Sequence, residues 1–145
     1  MYSNKLIQLV QLNGTATNRD EAMNEVAAML IDSGAVSESY RAAMFERESS
    51  VSTYMGHYLA IPHGTLEALD QVNESALAII RYAKPIDWDG NEVRFVIGIA
   101  GKDGTHLTAL AAIALLFSDM ESVEQLLEIS NPDEILAKFE EAQLT

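Results

Sequence analysis

The stretch Tyr54–Thr65, with the sequence YMGHYLAIPHGT, presents a histidine between a proline and a glycine at the end of an apolar run. The run Tyr58–Ile61 is short, apolar and compatible with a β-strand. Pro62 has no N–H to donate and keeps the residue before it extended, so we expect the strand to stop there. Gly64 places no side chain beside His63, which leaves a reacting group room to approach the ring. The pattern indicates either a histidine nucleophile or a hydrogen-bonded structural histidine.

The composition is that of one compact domain. Of the 145 residues, 48% are hydrophobic and 21% are charged, so we expect a single domain over residues 1–145. The absence of cysteine excludes disulfides, thiolate metal sites and cysteine nucleophiles. Residues 1–12 lack the apolar core of a secretory signal, and no apolar run approaches the about 20 residues of a membrane span. We therefore expect a soluble, cytoplasmic protein.

The net charge of −13 and the pI near 4.4 bear on the class of partner. An acidic surface approaches the phosphates of a nucleic acid unfavourably and gains no counterion release there. A basic protein partner is compatible with such a surface. Acidity that only maintains solubility is the alternative interpretation.

Hydrophobic periodicity and turn signals predict strands interleaved with helices. We expect strands over Lys5–Leu12, Tyr58–Ile61, Glu74–Tyr82 and Val93–Ala100, and an extended piece at 86–88. We expect helices beginning near Asn18, near Ser37 or Ser39, near His106, near Ser118 or Asp119, and at Asn131-Pro132. This order favours an α/β fold with a mainly parallel, mixed sheet of four or five strands sandwiched between about five helices. His63 and His106 each follow a strand, so both are expected at the carboxyl edge of the sheet, where ligands gather.

The segment around His63 resembles the phosphorylated segment of a known family. In the A components (EIIA) of the mannitol/fructose class of the bacterial phosphoenolpyruvate-dependent sugar phosphotransferase system (PTS), a segment ending in Gly-x-x-Ile-Ala-Val/Ile-Pro-His-Gly carries the phosphorylated histidine. Gly56 and the run Leu59–Gly64 fill this pattern, with leucine in place of the first isoleucine. Thr65, Glu67 and Ala68 continue it in the mannitol-type manner. The resemblance extends from the first predicted helix to the last.

The resemblance implies a phosphocarrier that uses no cofactor and no metal. His63 would accept a phosphoryl group from the histidine phosphocarrier protein HPr and pass it to the EIIB domain of a membrane sugar permease. The family carries a second histidine in a segment like Gly-x-His-Leu, which is His106 here, and an arginine in an Asp/Glu-Arg-Glu segment, which is Arg47. Both would stabilise the phosphoryl group. His57 has no required counterpart, so we expect a structural residue at the surface or a strand edge.

The residue chemistry is compatible with these roles. An unperturbed imidazole has a pKa of about 6.5, so at cytoplasmic pH much of it is neutral and has a lone pair that can attack phosphorus. His106 is expected at a helix N-terminus, where free N–H groups and the helix dipole favour an anion. Helix capping is the structural alternative for His106, and an interaction with the helix dipole is the alternative for Arg47.

Other function classes can be compared with this one. A zinc hydrolase could be imagined from His57, His63 and His106, but the sequence has no His-Glu-x-x-His helix. A nitrogen-regulatory branch of the same family keeps the Pro-His-Gly segment and signals instead of feeding a permease. The pair Glu67-Ala68 and the run Val96–Ala100 favour the mannitol type. An EIIA for fructose or another polyol is a further alternative, because an A component does not contact the sugar.

Overall fold

A computed structural model describes residues 6–143, in which five strands form one sheet. The strands are β1 (Leu6–Gln11), β2 (Tyr54–Gly56), β3 (Leu59–Ala60), β4 (Ser75–Trp88) and β5 (Asn91–Ala100). Their order across the sheet is β1-β4-β5-β3-β2, so β5 is central, as its apolar sequence predicts. Of the predicted first strand, Lys5 lies outside the described residues.

Five α-helices in residues 6–143 surround the sheet, and side chains cap the first turn of two of them. The helices are α1 (Arg19–Asp32), α2 (Tyr40–Ser50), α3 (Leu107–Leu116), α4 (Met120–Glu128) and α5 (Pro132–Gln143), with a 3₁₀ helix at Leu66–Gln71. The capped helices are α1 and α4. Oδ1 of Asn18 accepts a hydrogen bond from the Glu21 N–H at 2.9 Å, and Oδ1 of Asp119 accepts one from the Ser122 N–H at 2.8 Å. None of the described helices is both long and apolar enough to cross a bilayer.

The sheet separates two hydrophobic cores. Because successive strand residues point to opposite faces, Ala78 and Ile80 of β4 belong to the first core, whereas Leu77 and Ile79 belong to the second. Helices α1 and α2 cover the first face, and α3, α4 and α5 cover the second. This three-layer arrangement confirms the predicted α/β class with a sheet buried on both sides.

The pairing of the strands is mixed. β1 lies parallel to β4 and β3 lies parallel to β5, whereas β4–β5 and β2–β3 are antiparallel. The long β4–β5 hairpin closes at Asp89 and Gly90, both with positive φ, as a two-residue hairpin turn requires. Glu74–Tyr82 and the extended piece at 86–88 are therefore parts of one strand. Two of the four strand pairings are parallel, so the sheet is mixed, as predicted. The long antiparallel β4–β5 hairpin was not predicted.

Two local predictions were wrong. Tyr58 is not part of the strand, because it lies with His57 in the β2–β3 turn, and both have positive φ. Helical spacing in the sequence predicts that the apolar positions of α3 are Leu107, Leu110, Ala111, Ile113, Ala114 and Phe117. The buried residues are instead Ala109, Ala112 and Ile113, followed by Phe117 at the C-cap, whereas Leu107, Ala111 and Ala114 are exposed. Because α3 is apolar almost all round, its periodicity does not mark one face.

Candidate functional site

The fold brings His63 to the carboxyl edge of the sheet. β3 runs parallel to β5, and beyond its last residue the Ile99 N–H donates to the carbonyl oxygen of Pro62 at 3.0 Å. His63 itself forms an isolated parallel bridge with Ile99. The histidine is thus held beside the last residues of the central strand, where the sequence analysis placed it.

The hydrogen bond made by the His63 ring assigns its tautomer. Nδ1 lies 2.9 Å from the carbonyl oxygen of Ile61. A carbonyl oxygen only accepts, so Nδ1 carries the proton and donates. The lone pair of the neutral ring is then on Nε2. His63 is half-buried, so the residue is not closed off from solvent.

A buried carboxylate fixes the segment that orients His63. The Ile61 N–H donates to the carbonyl oxygen of Thr53 at 3.1 Å. Thr53 in turn donates from its N–H and its hydroxyl to the carboxylate of Glu48, at 3.0 and 2.5 Å. The indole N–H of Trp88 donates to the same carboxylate at 2.9 Å. The carbonyl that accepts from His63 therefore belongs to a segment anchored on a buried, fully bonded side chain.

The loop after β5 delivers His106 to the same edge. The hydroxyl of buried Ser75 accepts a hydrogen bond from the Lys102 N–H at 2.7 Å and another from the Thr105 hydroxyl, which fixes the loop. The His106 ring lies directly on Gly101, since a Cβ atom there would stand only 2.2 Å from the ring Cε1. Gly101 thus leaves the space that the imidazole occupies.

The second histidine is a neutral donor. Its Nδ1 is buried and has no hydrogen-bond partner among the described residues. Burial lowers the pKa of His106, which favours the neutral ring. Nδ1 has no acceptor within residues 6–143 to which it could donate, so we assign the single proton of the neutral ring to Nε2. That nitrogen is left to donate to a ligand.

Both histidines line one cavity of about 320 Å³. This confirms the expectation that the two strand ends bring them together. The other lining residues include Tyr40, Leu66, Leu69 and Leu110, and no Asp, Glu, Lys or Arg lines this cavity in the described part of the chain. The acidic charge of the protein is therefore kept outside the pocket that holds the histidines.

Arg47 is not brought into this cavity. Its guanidinium Nη1 donates to the carbonyl oxygen of Val51 at 2.7 Å, just after the end of α2. The structure therefore shows the helix-terminus contact that was the structural alternative for this residue. Its predicted role beside the phosphoryl group remains a prediction.

His57 lies in the β2–β3 turn and is exposed, as expected of a surface residue. Its Nδ1 donates to the carbonyl oxygen of Phe117 at 2.8 Å, which ties the turn to the end of α3. It does not line the cavity that holds His63 and His106. Within residues 6–143 no three His, Asp or Glu side chains are grouped so that they could hold a metal ion. A zinc hydrolase built from the three histidines therefore has no ligand set in this region.

An apolar rim surrounds the two histidines. Leu66 is 81% exposed, and Leu69 is also exposed; both line the histidine cavity. Leu107, which follows His106 in the sequence, is exposed as well. A second cavity, of about 370 Å³, is lined by Met55 and shares Leu110 with the first. The sequence analysis missed the two leucines of the 3₁₀ helix, since no pattern in so short an element indicates which residues are exposed.

Comparison with known proteins shows what the chain resembles. The family described as "Phosphoenolpyruvate-dependent sugar phosphotransferase system, EIIA 2" matches residues 6–142. The chain is 45% identical over 130 residues to the mannitol-specific phosphotransferase enzyme IIA component of Halalkalibacterium halodurans, with 90% of each chain covered.

Two solved structures from Escherichia coli share the fold. The crystal structure of IIA mannitol has a TM-score of 0.80 and 28% identity, covering 90% of this chain and 94% of that one. The IIA chain in the complex of enzyme IIAMTL with phosphorylated enzyme IIBMTL has a TM-score of 0.79 and 26% identity, covering 96% of both chains.

Proposed function

Because the chain belongs to the EIIA type 2 family of the phosphoenolpyruvate-dependent sugar phosphotransferase system, we propose that it accepts a phosphoryl group on Nε2 of His63. The observation that carries this assignment is the hydrogen bond from Nδ1 to the carbonyl oxygen of Ile61. It occupies one ring nitrogen and leaves the other with a lone pair. His63 is half-buried and lines the cavity that it shares with His106.

The transfer needs only positioning and donors. The Nε2 lone pair of His63 attacks the phosphorus of the donor's phosphohistidine, the new N–P bond forms, and the N–P bond of the donor breaks. Charge in such a loose transition state lies on the three equatorial oxygens. We assign the donor to one of these oxygens to the Nε2–H of His106, which lines the same cavity as His63. The N-terminus of α3, which has no side-chain cap, favours the negative charge.

We infer the recipient from the named relatives and the donor from the resemblance to the family. The relative from Halalkalibacterium halodurans is mannitol-specific, and the IIA chain from Escherichia coli forms a complex with phosphorylated IIB. We therefore propose that this chain receives its phosphoryl group from HPr and passes it to the EIIB domain of a mannitol permease. Both exchanges place it in the cytoplasm, and residues 1–145 act as one EIIA domain.

One surface must then serve two partners in turn. Leu66 and Leu69 are exposed beside the histidine cavity, and Met55 is exposed at the second cavity next to it. Apolar side chains, and flexible methionine above all, adapt to surfaces of different shape. Of the aromatic residues in the stretch Tyr54–Thr65, Tyr54 packs against the first core and Tyr58 packs against the second. We assign the docking contacts mainly to the leucines and Met55.

Reconstitution of the transfer tests the proposal. The purified protein is incubated with phosphoenolpyruvate, the general PTS kinase and HPr, and is then mixed with EIIB domains from a mannitol and from a fructose permease. We expect one acid-labile phosphoryl group per chain and faster transfer to the mannitol EIIB. Absence of any label would refute the carrier function, whereas equal or faster transfer to the fructose domain would refute only the sugar assignment.

We also propose that Arg47 moves to the phosphoryl group when the carrier is loaded. In the described structure its guanidinium is bonded to the carbonyl oxygen of Val51, which is a bond that an anion can replace. The Arg47→Ala variant should transfer about tenfold more slowly or worse, because one charged donor is lost. Arg41→Ala on the same helix is the matched control, since Arg41 pairs with Glu38. Equal rapid-quench transfer rates in the wild type and both variants would remove Arg47 from the site.

The net charge of −13 predicts a salt-dependent encounter. We expect the acidic surface to steer a carrier that has basic residues around its own histidine. Raising the ionic strength from about 0.01 to 0.1 M shortens the screening length from about 30 to 10 Å, so association with HPr should slow. The final distribution of phosphoryl groups should barely change and serves as the internal control. Stopped-flow rates that are insensitive to salt would mean that the acidity serves solubility only.

A further inference from the structure

Tyr40 lies under the segment that carries His63 and lines the same cavity, although it is only 4% exposed. Its hydroxyl makes two hydrogen bonds. It accepts from the Gly64 N–H at 2.9 Å and donates to the carbonyl oxygen of Ile99 at 3.1 Å. One buried hydroxyl thus connects the residue after His63 to the end of the central strand.

The contact with Gly64 is close. A Cβ atom at this position would stand 2.5 Å from Cε1 and 2.7 Å from Cζ of the Tyr40 ring. Real Cβ atoms do not approach other atoms so closely, so an alanine here would displace the ring or the backbone. A glycine is therefore required at position 64 because the Tyr40 ring packs directly against its backbone. The same glycine also leaves space beside His63.

The two hydrogen bonds join the supports of both histidines. Gly64 follows His63 directly. Ile99 lies two residues before Gly101, on which the His106 ring rests. A shift between the His63 segment and the end of β5 would change the distance between the phosphoryl acceptor and its donor. The Tyr40 hydroxyl lies across the junction where such a shift would occur.

We propose that Tyr40 is a positioning residue for phosphoryl transfer, whose hydroxyl locks the Pro62–Gly64 segment to the end of β5 and so fixes His63 relative to His106. The expected effect of Tyr40 on the phosphorylation rate rests on the proposed function, whereas its expected effect on the position of the His63 ring does not. Burial raises the pKa of Tyr40, which keeps the hydroxyl protonated and able to donate to Ile99. The Tyr40 ring fills space in the core, and its hydroxyl fixes the position of the Pro62–Gly64 segment relative to the end of β5.

The test compares Tyr40→Phe with Tyr82→Phe. Each variant keeps the aromatic ring and loses one buried hydroxyl from the same core. The Tyr82 hydroxyl donates to the carboxylate of Glu25 at 2.6 Å, and Tyr82 does not line the histidine cavity. Both variants should lower the midpoint of thermal unfolding. A purely structural role predicts no further difference between them.

Two readouts separate positioning from stability. In imidazole ¹⁵N spectra of the unphosphorylated protein, Tyr40→Phe should shift the His63 signals or mix its tautomers, whereas Tyr82→Phe should leave them unchanged. Phosphorylation by HPr should slow about ten- to hundredfold in Tyr40→Phe alone, because a small misplacement of reacting groups has a large effect on rate. Wild-type His63 spectra and rates in Tyr40→Phe would overturn the proposal.

Gly64→Ala addresses the same contact from the other side and should shift the His63 signals similarly, so the proposal stays testable if Tyr40→Phe does not fold. Unchanged His63 signals in a folded Gly64→Ala protein would count against it. The spectra require no phosphoryl transfer. If the wild-type protein accepts no phosphoryl group, the carrier function fails while the positioning of His63 by Tyr40 is still decided by the spectra.

Discussion

His63→Ala is expected to take up no phosphoryl group from phosphorylated HPr and to pass none to an EIIB domain. The substitution removes the nucleophilic nitrogen itself. The neighbouring His106 does not replace it, because its proton is assigned to Nε2 and its Nδ1 is buried. We therefore expect no detectable acid-labile phosphoryl label. The fold should be retained, because the half-buried ring contributes only one local hydrogen bond.

His57→Ala is the matched control for this loss. It removes a histidine six positions away, which is exposed and bonded to the carbonyl oxygen of Phe117. We expect His57→Ala to be labelled to the same extent as the wild type. If the label persists in His63→Ala, or disappears in His57→Ala instead, the phosphoryl acceptor is a histidine other than His63. Circular dichroism of each variant shows that the comparison is made between folded proteins.

His106→Ala is expected to be labelled by HPr but about tenfold to a thousandfold more slowly, as when one charge-stabilising donor is removed. His106→Gln retains an N–H donor and should recover part of the rate. Because burial lowers the pKa of His106, the ring is already neutral at neutral pH. Its contribution should then stay constant as the pH rises from about 7 to 8, whereas the contribution of a cationic histidine would decline as the proton is lost.

Rapid-quench kinetics of the wild type and the His106 variants across this pH range provide the measurement. The ratio of the wild-type rate to the His106→Ala rate should be constant with pH. A ratio that falls as the pH rises would show that His106 acts as a cation, against the tautomer assigned here. Equal rates in wild type and His106→Ala would mean that the side chain has only a structural role.

The position of both histidines could be predicted because strand ends are readable in the sequence. Pro62 ends one apolar run, and a glycine-bearing loop ends the other. When two such strands are parallel neighbours, their carboxyl ends meet at the same edge. In the structure β3 and β5 are such a pair, and His63 and His106 line one cavity.

Other features depended on tertiary contacts that no local pattern records. No local pattern marks Tyr40 as a partner of Gly64, because this hydrogen bond joins residues 24 positions apart. Arg47 was assigned by resemblance, while the structure shows its guanidinium at the carbonyl oxygen of Val51. Tyr58 takes a positive φ that bulky residues rarely adopt, held by a cation–π contact with Arg94 and by backbone bonds to its carbonyl oxygen.

The central claim is that Nε2 of His63 is the phosphoryl acceptor, because Nδ1 is committed to the carbonyl oxygen of Ile61. The direct measurement is a ³¹P–¹⁵N coupling experiment on protein labelled with ¹⁵N-histidine and phosphorylated through HPr. We predict a single phosphohistidine, with phosphorus coupled to Nε2 of His63 and with the Nδ1 proton still donated. Phosphorus coupled to Nδ1 of His63, or to a nitrogen of His57 or His106, would contradict the account.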